Sequence, residues 1–189
     1  YEEGFRIAGI DLSKKKTVNI RYAIGQERMV RAAIGQFEKM GLTPVIYRAP
    51  VARVNRRLTL RPGKTATAAN KQYDYDHRMD EMLFLEKAFV ERKIAVLHSA
   101  YENRKQLAKE YAGPAVIEVF GEKPFEPQNK KEVLAFSEKQ QKLSVFMTTE
   151  SSKIVNEYIP QSDYSFTIIA YPLPEIGENF EEIFQAIVK

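Results

Sequence analysis

Carboxylates and an imidazole cluster in one short stretch of the chain, at Asp74, Asp76, His77, Asp80 and Glu81. On a helix, residues three and four apart are neighbours, so His77, Asp80 and Glu81 would share a face. Carboxylate and imidazole groups together can bind a divalent metal. The alternative is structural, with Asp76 as the N-cap of a helix whose first-turn acids favour the helix dipole. The pattern favours the structural interpretation.

A second set of candidates lies where apolar segments end. Glu118 is a lone carboxylate inside one such segment, and a second segment ends at Tyr171. Ligands of open α/β sheets bind at the carboxyl ends of the strands, so candidate cleft-edge residues are Glu118, Gly121, Tyr171 and Pro172. One carboxylate cannot by itself supply the acid and the base of a hydrolase. We therefore assign no catalytic, cofactor-binding or metal-binding residue in this chain.

The turn at Gly25 occupies the place of a phosphate loop, between a predicted strand and a predicted helix. It has a single glycine, and Glu27 would repel phosphate from the helix N-terminus. The interpretation is a plain strand-to-helix turn. His98, next to Leu97 in a helical stretch, is interpreted as a structural histidine.

Positive charge is concentrated in one stretch. No Asp or Glu occurs from Lys39 to Tyr73. The segment of about 49–75 is interpreted as a basic loop or hairpin insertion, and its candidate contact patch comprises Arg53, Arg56, Arg57 and Arg61. Such cations can neutralise phosphates, but aromatic residues for base stacking occur only at the borders of the stretch. Nucleic acid is not expected as a partner, and the role of residues 48–71 stays open.

Composition restricts the remaining classes. The chain has 189 residues, a net charge of +4, no Cys and two His, which excludes a disulfide framework and a thiol nucleophile. No apolar run approaches the roughly 20 residues that span a bilayer, and no signal peptide is visible. We expect a single cytoplasmic domain over residues 1–189 that has no membrane partner.

Strand and helix patterns alternate along the chain. A strand at Lys16–Ile24, a helix at Glu27–Met40 and a strand at Thr43–Arg48 form a βαβ unit. The later helical predictions are a stretch at Asp76–Tyr111, as two helices or one long bent helix, that Gly113 and Pro114 stop, a helix at Lys130–Met147 that Lys153–Ile159 continues or restarts, and a helix at Glu178–Lys189. Strands are predicted at Ala115–Phe120 and Ser165–Tyr171. The sequence therefore predicts a Rossmann-like open parallel sheet of about four strands in the order 2-1-3-4, with helices on both faces.

Three segments together resemble the amino-terminal domain of the aminopeptidase T / leucyl aminopeptidase family of dinuclear metallopeptidases, in its clostridial-type branch. The first carries the Lys16–Tyr22 strand and continues to Met40-Gly41-Leu42-Thr43-Pro44-Val45. The second is Gly113–Pro124, and the third is Phe166-Thr-Ile-Ile-Ala-Tyr-Pro172. The likeness runs over most of the chain and depends on the order and spacing of all three segments. Phe166 stands where the family tends to have Trp, and the basic stretch is longer than the corresponding loop in simpler members.

This resemblance implies the function of a parent enzyme. In the family, two divalent metal ions, zinc or cobalt, activate a water that attacks the first peptide bond of a peptide substrate. Their ligands lie in a carboxyl-terminal catalytic domain, which is expected downstream, and no position here matches them. This chain would then be inactive alone, hold no cofactor, shape access to the active site and help to build a homodimer. Peptide specificity and metal identity stay open.

Two other functions remain open from the residues. One is a small-molecule or nucleotide-binding α/β module with its ligand near Gly25, Gly121 and Tyr171. The other is a basic nucleic-acid-binding domain that uses the arginines.

Overall fold

The protein is described by a computed structural model that covers residues 1–23, 25–49, 71–120 and 126–188. At its centre is a parallel sheet in which β2 and β3 both pair with β1, and β3 also pairs with β4. The strands are β1 (Thr17–Ala23), β2 (Thr43–Ala49), β3 (Tyr111–Phe120) and β4 (Thr167–Pro172). The order β2-β1-β3-β4 confirms both the predicted α/β class and the predicted order of strands.

Helices surround this sheet. They are α1 (Glu2–Ala8), α2 (Glu27–Lys39), α3 (Lys71–Asp76), α4 (Lys87–Asn103), α5 (Lys105–Lys109), α6 (Glu138–Tyr158) and α7 (Phe180–Val188). Short 3₁₀ turns occur at Leu12–Lys14, Asp80–Leu83, Gln161–Asp163 and Pro174–Ile176.

The main core lies between α1, α2 and one face of the sheet. Val18 and Ile20 of β1 point to this face because alternate residues of a strand share a side. They pack against Phe5 of α1 and against Val30 and Phe37 of α2, all of them buried. The amphipathic stripe that predicted α2 is therefore the face that it buries, and Gly41 ends the helix with a φ of 77°.

A second helical layer is built from α4, α5 and α6. Its own small core contains Leu85 and Val90 on the α4 side and Met147 on α6. Tyr101 of α4 lies close to Tyr47 and Tyr111 of the sheet. Since Tyr47 pairs with Arg21 and not with Ile20, this layer meets the sheet on the side opposite α2.

The predicted helical stretch at Asp76–Tyr111 is divided in the structure, as the two-helix alternative expected, but the first part of the stretch is not α-helical. Residues 77–86 form turns and a 3₁₀ segment, α4 begins only at Lys87, and Arg104 separates α4 from α5. Neither Gly nor Pro occurs between Asp76 and Gly113, so the sequence contains none of the usual breaking residues.

The prediction that Gly113 and Pro114 stop a helix was wrong, because both lie inside β3. The pairing of β1 with β3 shifts register there, from Thr17 opposite Tyr111 to Asn19 opposite Pro114. The extra residue makes a bulge, and Gly113 adopts a φ of 108°, which a side chain would disfavour.

Two further differences concern helices. The predicted helix at Lys130–Met147 begins at Glu138 instead, where Ser137 and Gln140 form a capping box. It runs without a break to Tyr158, which confirms the predicted continuation through Lys153–Ile159. The short helix α1 was not predicted at all; its N-cap residue, Tyr1, makes no capping hydrogen bond through its side chain.

Candidate functional site

The predicted cleft-edge residues that the structure describes lie on two adjacent strands, β3 and β4. Glu118 of β3 pairs with Ala170 of β4, and Phe120 pairs with Pro172 two residues later. Glu118 is half-buried, whereas Pro172 is fully buried. The structure therefore brings three of the four predicted residues to the carboxyl edge of the sheet, but Pro172 contributes only to packing there.

Tyr171 is held by aromatic packing at this edge. Its ring meets Phe184 of α7 edge-on at a centroid distance of 5.6 Å, and it packs against the main core. In a strand, neighbouring side chains point to opposite faces. Tyr171 thus lies on the α2 side of the sheet, while Glu118, opposite Ala170, points to the other side.

A polar network occupies the face of the sheet opposite α2. Arg21 donates through Nε to Oδ1 of Asn19 at 2.6 Å, and Asn19 is only 7% exposed. The same guanidinium hydrogen-bonds the phenol of Tyr111. Asn19 and Arg21 are the polar half of the alternation that predicts β1, so the sequence contained the signal for this network.

Burial controls the chemistry of Tyr111. It raises the pKa of Tyr111 to about 12, although the positive charge of Arg21 acts in the opposite direction. A phenol with such a pKa stays neutral at pH 7 and donates hydrogen bonds. Tyr111 is therefore available as a neutral hydrogen-bond donor on this face of the sheet.

The start of α2 contains an unusual buried amide. Gln26 is the N-cap residue, yet its side chain caps nothing, and only 6% of it is exposed. Its Oε1 has no hydrogen-bond partner among the described residues. Gly25, with a φ of 97°, makes the turn that brings the backbone to this point. A buried acceptor without a partner is costly, so the turn is the best-defined place for a ligand that donates a hydrogen bond.

A hydrogen-bonded clamp joins the connections that follow β2 and β3. Nε2 of Gln72 donates to the backbone carbonyl of Gln128, and the backbone N–H of Gln128 donates to Oε1 of Gln72, both at 2.9 Å. Tyr75 donates to Oδ1 of Asn129 at 2.7 Å. The clamp is completed by an ion pair of 2.5 Å between Lys130 and Asp76. No sequence pattern predicted it, because its two halves lie over 50 positions apart.

The acidic cluster differs from its predicted arrangement. Asp76 ends α3 and pairs with Lys130, so its assignment as an N-cap was wrong. His77 instead contacts Asp80 through Nδ1 at 2.9 Å, and the ring of Tyr73 lies 4.2 Å from its ring. In the described part of the chain, no three His, Asp or Glu side chains come together as a metal site.

His98 lies on an exposed part of α4. Its ring meets Tyr158 of α6 edge-on at 6.1 Å, and Tyr158 also stacks on Tyr101 at 5.4 Å. Tyr158 donates to Glu102 at 2.8 Å, which raises its pKa to about 12. These contacts join α4 to α6, which agrees with a structural role for His98.

Several predicted residues lie outside the described ranges. Gly121 and the arginines of the basic insertion are among them. Of that insertion, only Ala49, at the end of β2, and the residues that belong to α3 are described. Among the described helices, none is long and apolar enough to cross a bilayer.

Neither family models nor curated proteins nor solved structures give a match to this chain.

Proposed function

We propose that this chain is the non-catalytic amino-terminal domain of a cytoplasmic, metal-dependent aminopeptidase that removes amino-terminal residues from peptides. In this proposal the domain shapes access to the active site and contributes to a homodimer. The dinuclear zinc or cobalt centre belongs to a catalytic domain outside this chain. That centre would supply an activated water for attack on the peptide bond.

The observation that supports this proposal most is where the three family-like segments lie. The first covers β1, α2 and the start of β2, the second covers β3, and the third covers β4. The second and third are neighbours in the sheet, with Ala115 opposite Thr167 and Phe120 opposite Pro172. Segments that are far apart in sequence thus form one continuous sheet, as parts of one domain should.

In this proposal the metal ligands belong to the catalytic domain and not to this chain. A dinuclear centre needs several carboxylate and imidazole ligands that converge, and the described residues contain no such group of three. His77 and Asp80 touch, but each has about half of its side chain exposed. As the family resemblance implies, the proposal gives no metal ligand and no step of the reaction to this chain.

The test has two parts. The gene is sequenced beyond Lys189, and its full product is assayed with leucyl-p-nitroanilide in the presence of zinc or cobalt. The 189-residue chain is assayed in parallel. We expect the full product to hydrolyse the substrate and a chelator to stop it, whereas the 189-residue chain should be inactive.

Two results would contradict the proposal. One is metal-dependent turnover by the 189-residue chain itself, which would place the chemistry here. The other is a reading frame that supplies no convergent His, Asp and Glu residues downstream.

The unpartnered amide of Gln26 favours a second candidate, a small-molecule-binding module at the β1–α2 turn. A ligand there would donate a hydrogen bond to Oε1 and accept from the first N–H groups of α2. Glu27 opposes a phosphate at this position. Thermal stabilisation by a member of a nucleotide and amino-acid panel, lost in Gln26→Leu, would support this module; no stabilisation by any member would remove it.

A further inference from the structure

An open groove lies where the start of α4 meets the first turns of α6. Its volume is about 520 Å³, and it is lined by Lys87, Glu138, Lys139, Lys142, Leu143 and Phe146. This groove has no part in the proposed function above.

The α6 wall of the groove is a stripe at helical spacing. Lys139, Lys142, Leu143 and Phe146 follow the pattern i, i+3, i+4, i+7, so they share one face of the helix. Leu143 packs down onto the small core of α4 and α6. Phe146 is 49% exposed and forms the apolar surface of the groove. A large apolar residue at this exposure, beside a groove, is suited to contact with a partner.

The wall next to this stripe is fixed in place. Nε2 of Gln140 donates to the backbone carbonyl of Met82 at 2.7 Å, while its Oε1 accepts from Ser137 as part of the capping box. The turn that Gln140 holds at Met82 also carries Leu83 and Phe84, whose exposed fractions are 72% and 50%. The apolar surface therefore extends beyond the groove on a segment that is already ordered.

The residues that line the groove carry a small excess of positive charge. Three lysines and one glutamate line it, and that glutamate, Glu138, already pairs with Lys142 at 2.7 Å. Lys87 pairs with Glu91 at 3.5 Å. Lys139 forms no ion pair with any residue that the structure describes. An occupant with carboxylates would give Lys139 a partner, whereas a basic occupant would be repelled.

We propose that this groove is a docking site for an acidic amphipathic helix of a partner protein, with a Leu or Phe anchor beside Phe146 and a carboxylate at Lys139. Such a helix presents its apolar anchors at i, i+3, i+4 and i+7, which is the spacing of the α6 wall itself. The proposal does not depend on the aminopeptidase assignment.

The test uses a fluorescent peptide of about 14 residues, roughly 21 Å long as a helix, with Leu and Phe on one face and Glu on the other. Its twin carries Lys in place of every Glu. We expect saturable binding of the acidic peptide alone, weakened by salt because the contact is electrostatic. Lys139→Glu and Phe146→Ala should each weaken binding about tenfold, as expected for interface hot spots.

The controls match each variant. Lys153→Glu makes the same charge change on α6, and Phe166→Ala removes an exposed Phe from elsewhere in the protein; neither should change binding. Equal binding of both peptides, no saturable binding, or equal loss in the control variants would overturn the proposal. So would a dimer in sedimentation experiments that Phe146→Ala abolishes, because the occupant would then be a second copy of this chain.

Discussion

Gln72 and Gln128 are joined at two points, with the side-chain amide of one paired to the backbone of the other through hydrogen bonds of 2.9 Å each. The amide thereby imitates a pair of β-sheet hydrogen bonds. Gln72 lies in α3, after β2, and Gln128 lies after β3, so the pair connects two segments that leave the same edge of the sheet. Since both strands flank β1, this contact helps to fix the geometry of the edge where ligands of such sheets bind.

Replacement of Gln72 by alanine should loosen this connection. We expect Gln72→Ala to lower the free energy of unfolding by about 1 kcal/mol, because part-exposed hydrogen bonds make modest net contributions. The amide of Gln128 should also exchange its hydrogen faster. The matched control is Gln185→Ala, which removes an exposed contact within α7 and should have little effect. Unchanged exchange at Gln128 would show that the pair does not order this segment.

The ion pair of Asp76 with Lys130 should make the free energy of unfolding depend on pH in the acid range. The hydrogen bond from Lys130 lowers the pKa of Asp76 below its ordinary value of 3.8. A carboxyl whose pKa is depressed in the folded state contributes stability above its unfolded pKa, and this is lost as the pH falls through the folded pKa. The difference in unfolding free energy between the wild type and Asp76→Asn should therefore shrink from pH 6 to pH 3.

Urea titrations at the two pH values measure this difference. Lys130→Met should reproduce the effect, and the double variant should lose less than the sum of the two single variants. A constant difference at both pH values would mean that the ion pair is not formed in solution.

Two glycines should respond to alanine in opposite directions. At Gly113, a new Cβ would lie 1.8 Å from the backbone oxygen of Ser165, and the φ is positive. At Gly35, inside α2, a Cβ meets no described atom within 4 Å. We expect Gly113→Ala to cost more than about 3 kcal/mol or to prevent folding. Gly35→Ala should instead stabilise by about 0.5–1 kcal/mol, because alanine favours helix. Thermal unfolding measures both, and a tolerated Gly113→Ala would contradict the bulge in β3.

The unexpected helix α1 should contribute strongly to stability through one side chain. Phe5 is 2% exposed in the main core, whereas Ile7, on the same helix, is 74% exposed. We expect Phe5→Ala to cost about 3–4 kcal/mol and Ile7→Ala less than about 0.5 kcal/mol. Chemical denaturation compares the two. Similar small losses would indicate that α1 is detached from the sheet in solution.

The sheet could be predicted from the sequence because its strands obey simple rules. β1 alternates apolar and polar residues, and α2 carries an apolar stripe that ends at Gly41. The short β1–α2–β2 connection places β2 beside β1. The long crossover after β2 can return to the other side of β1, which gives the position of β3. These are local signals, and each agrees with the global fold.

The predicted element boundaries are wrong where tertiary contacts, and not local sequence patterns, decide the structure. Gly113 and Pro114 are typical of helix ends, but they lie at the register shift in β3, where the backbone of Ser165 comes too close to residue 113 for a side chain. The start of α6 was readable from the Ser137–Gln140 capping box, which periodicity alone passed over. α1 is short and makes no side-chain cap, so only the burial of Phe5 explains it.

The candidate site was predictable in part. Glu118 and Tyr171 do lie at one edge of adjacent strands, because parallel strands bring their carboxyl ends together. Their opposite orientation follows from the strand register, which needs the structure. The unpartnered amide of Gln26 and the Gln72–Gln128 pair depend on contacts between distant segments, and no spacing in the sequence encodes them.

The central place of β1 has a consequence for biosynthesis. Its second neighbour, β3, comes late in the chain: Lys16 and Glu110, which pair beside the start of the two strands, are 94 positions apart. During synthesis on the ribosome, β3 emerges long after β1, α2 and β2. Until then, the backbone groups on one edge of β1 have no strand to pair with. Closure of so long a loop makes the pairing slow. The nascent chain is therefore most exposed to strand-to-strand aggregation during this interval, and chaperone binding should concentrate there.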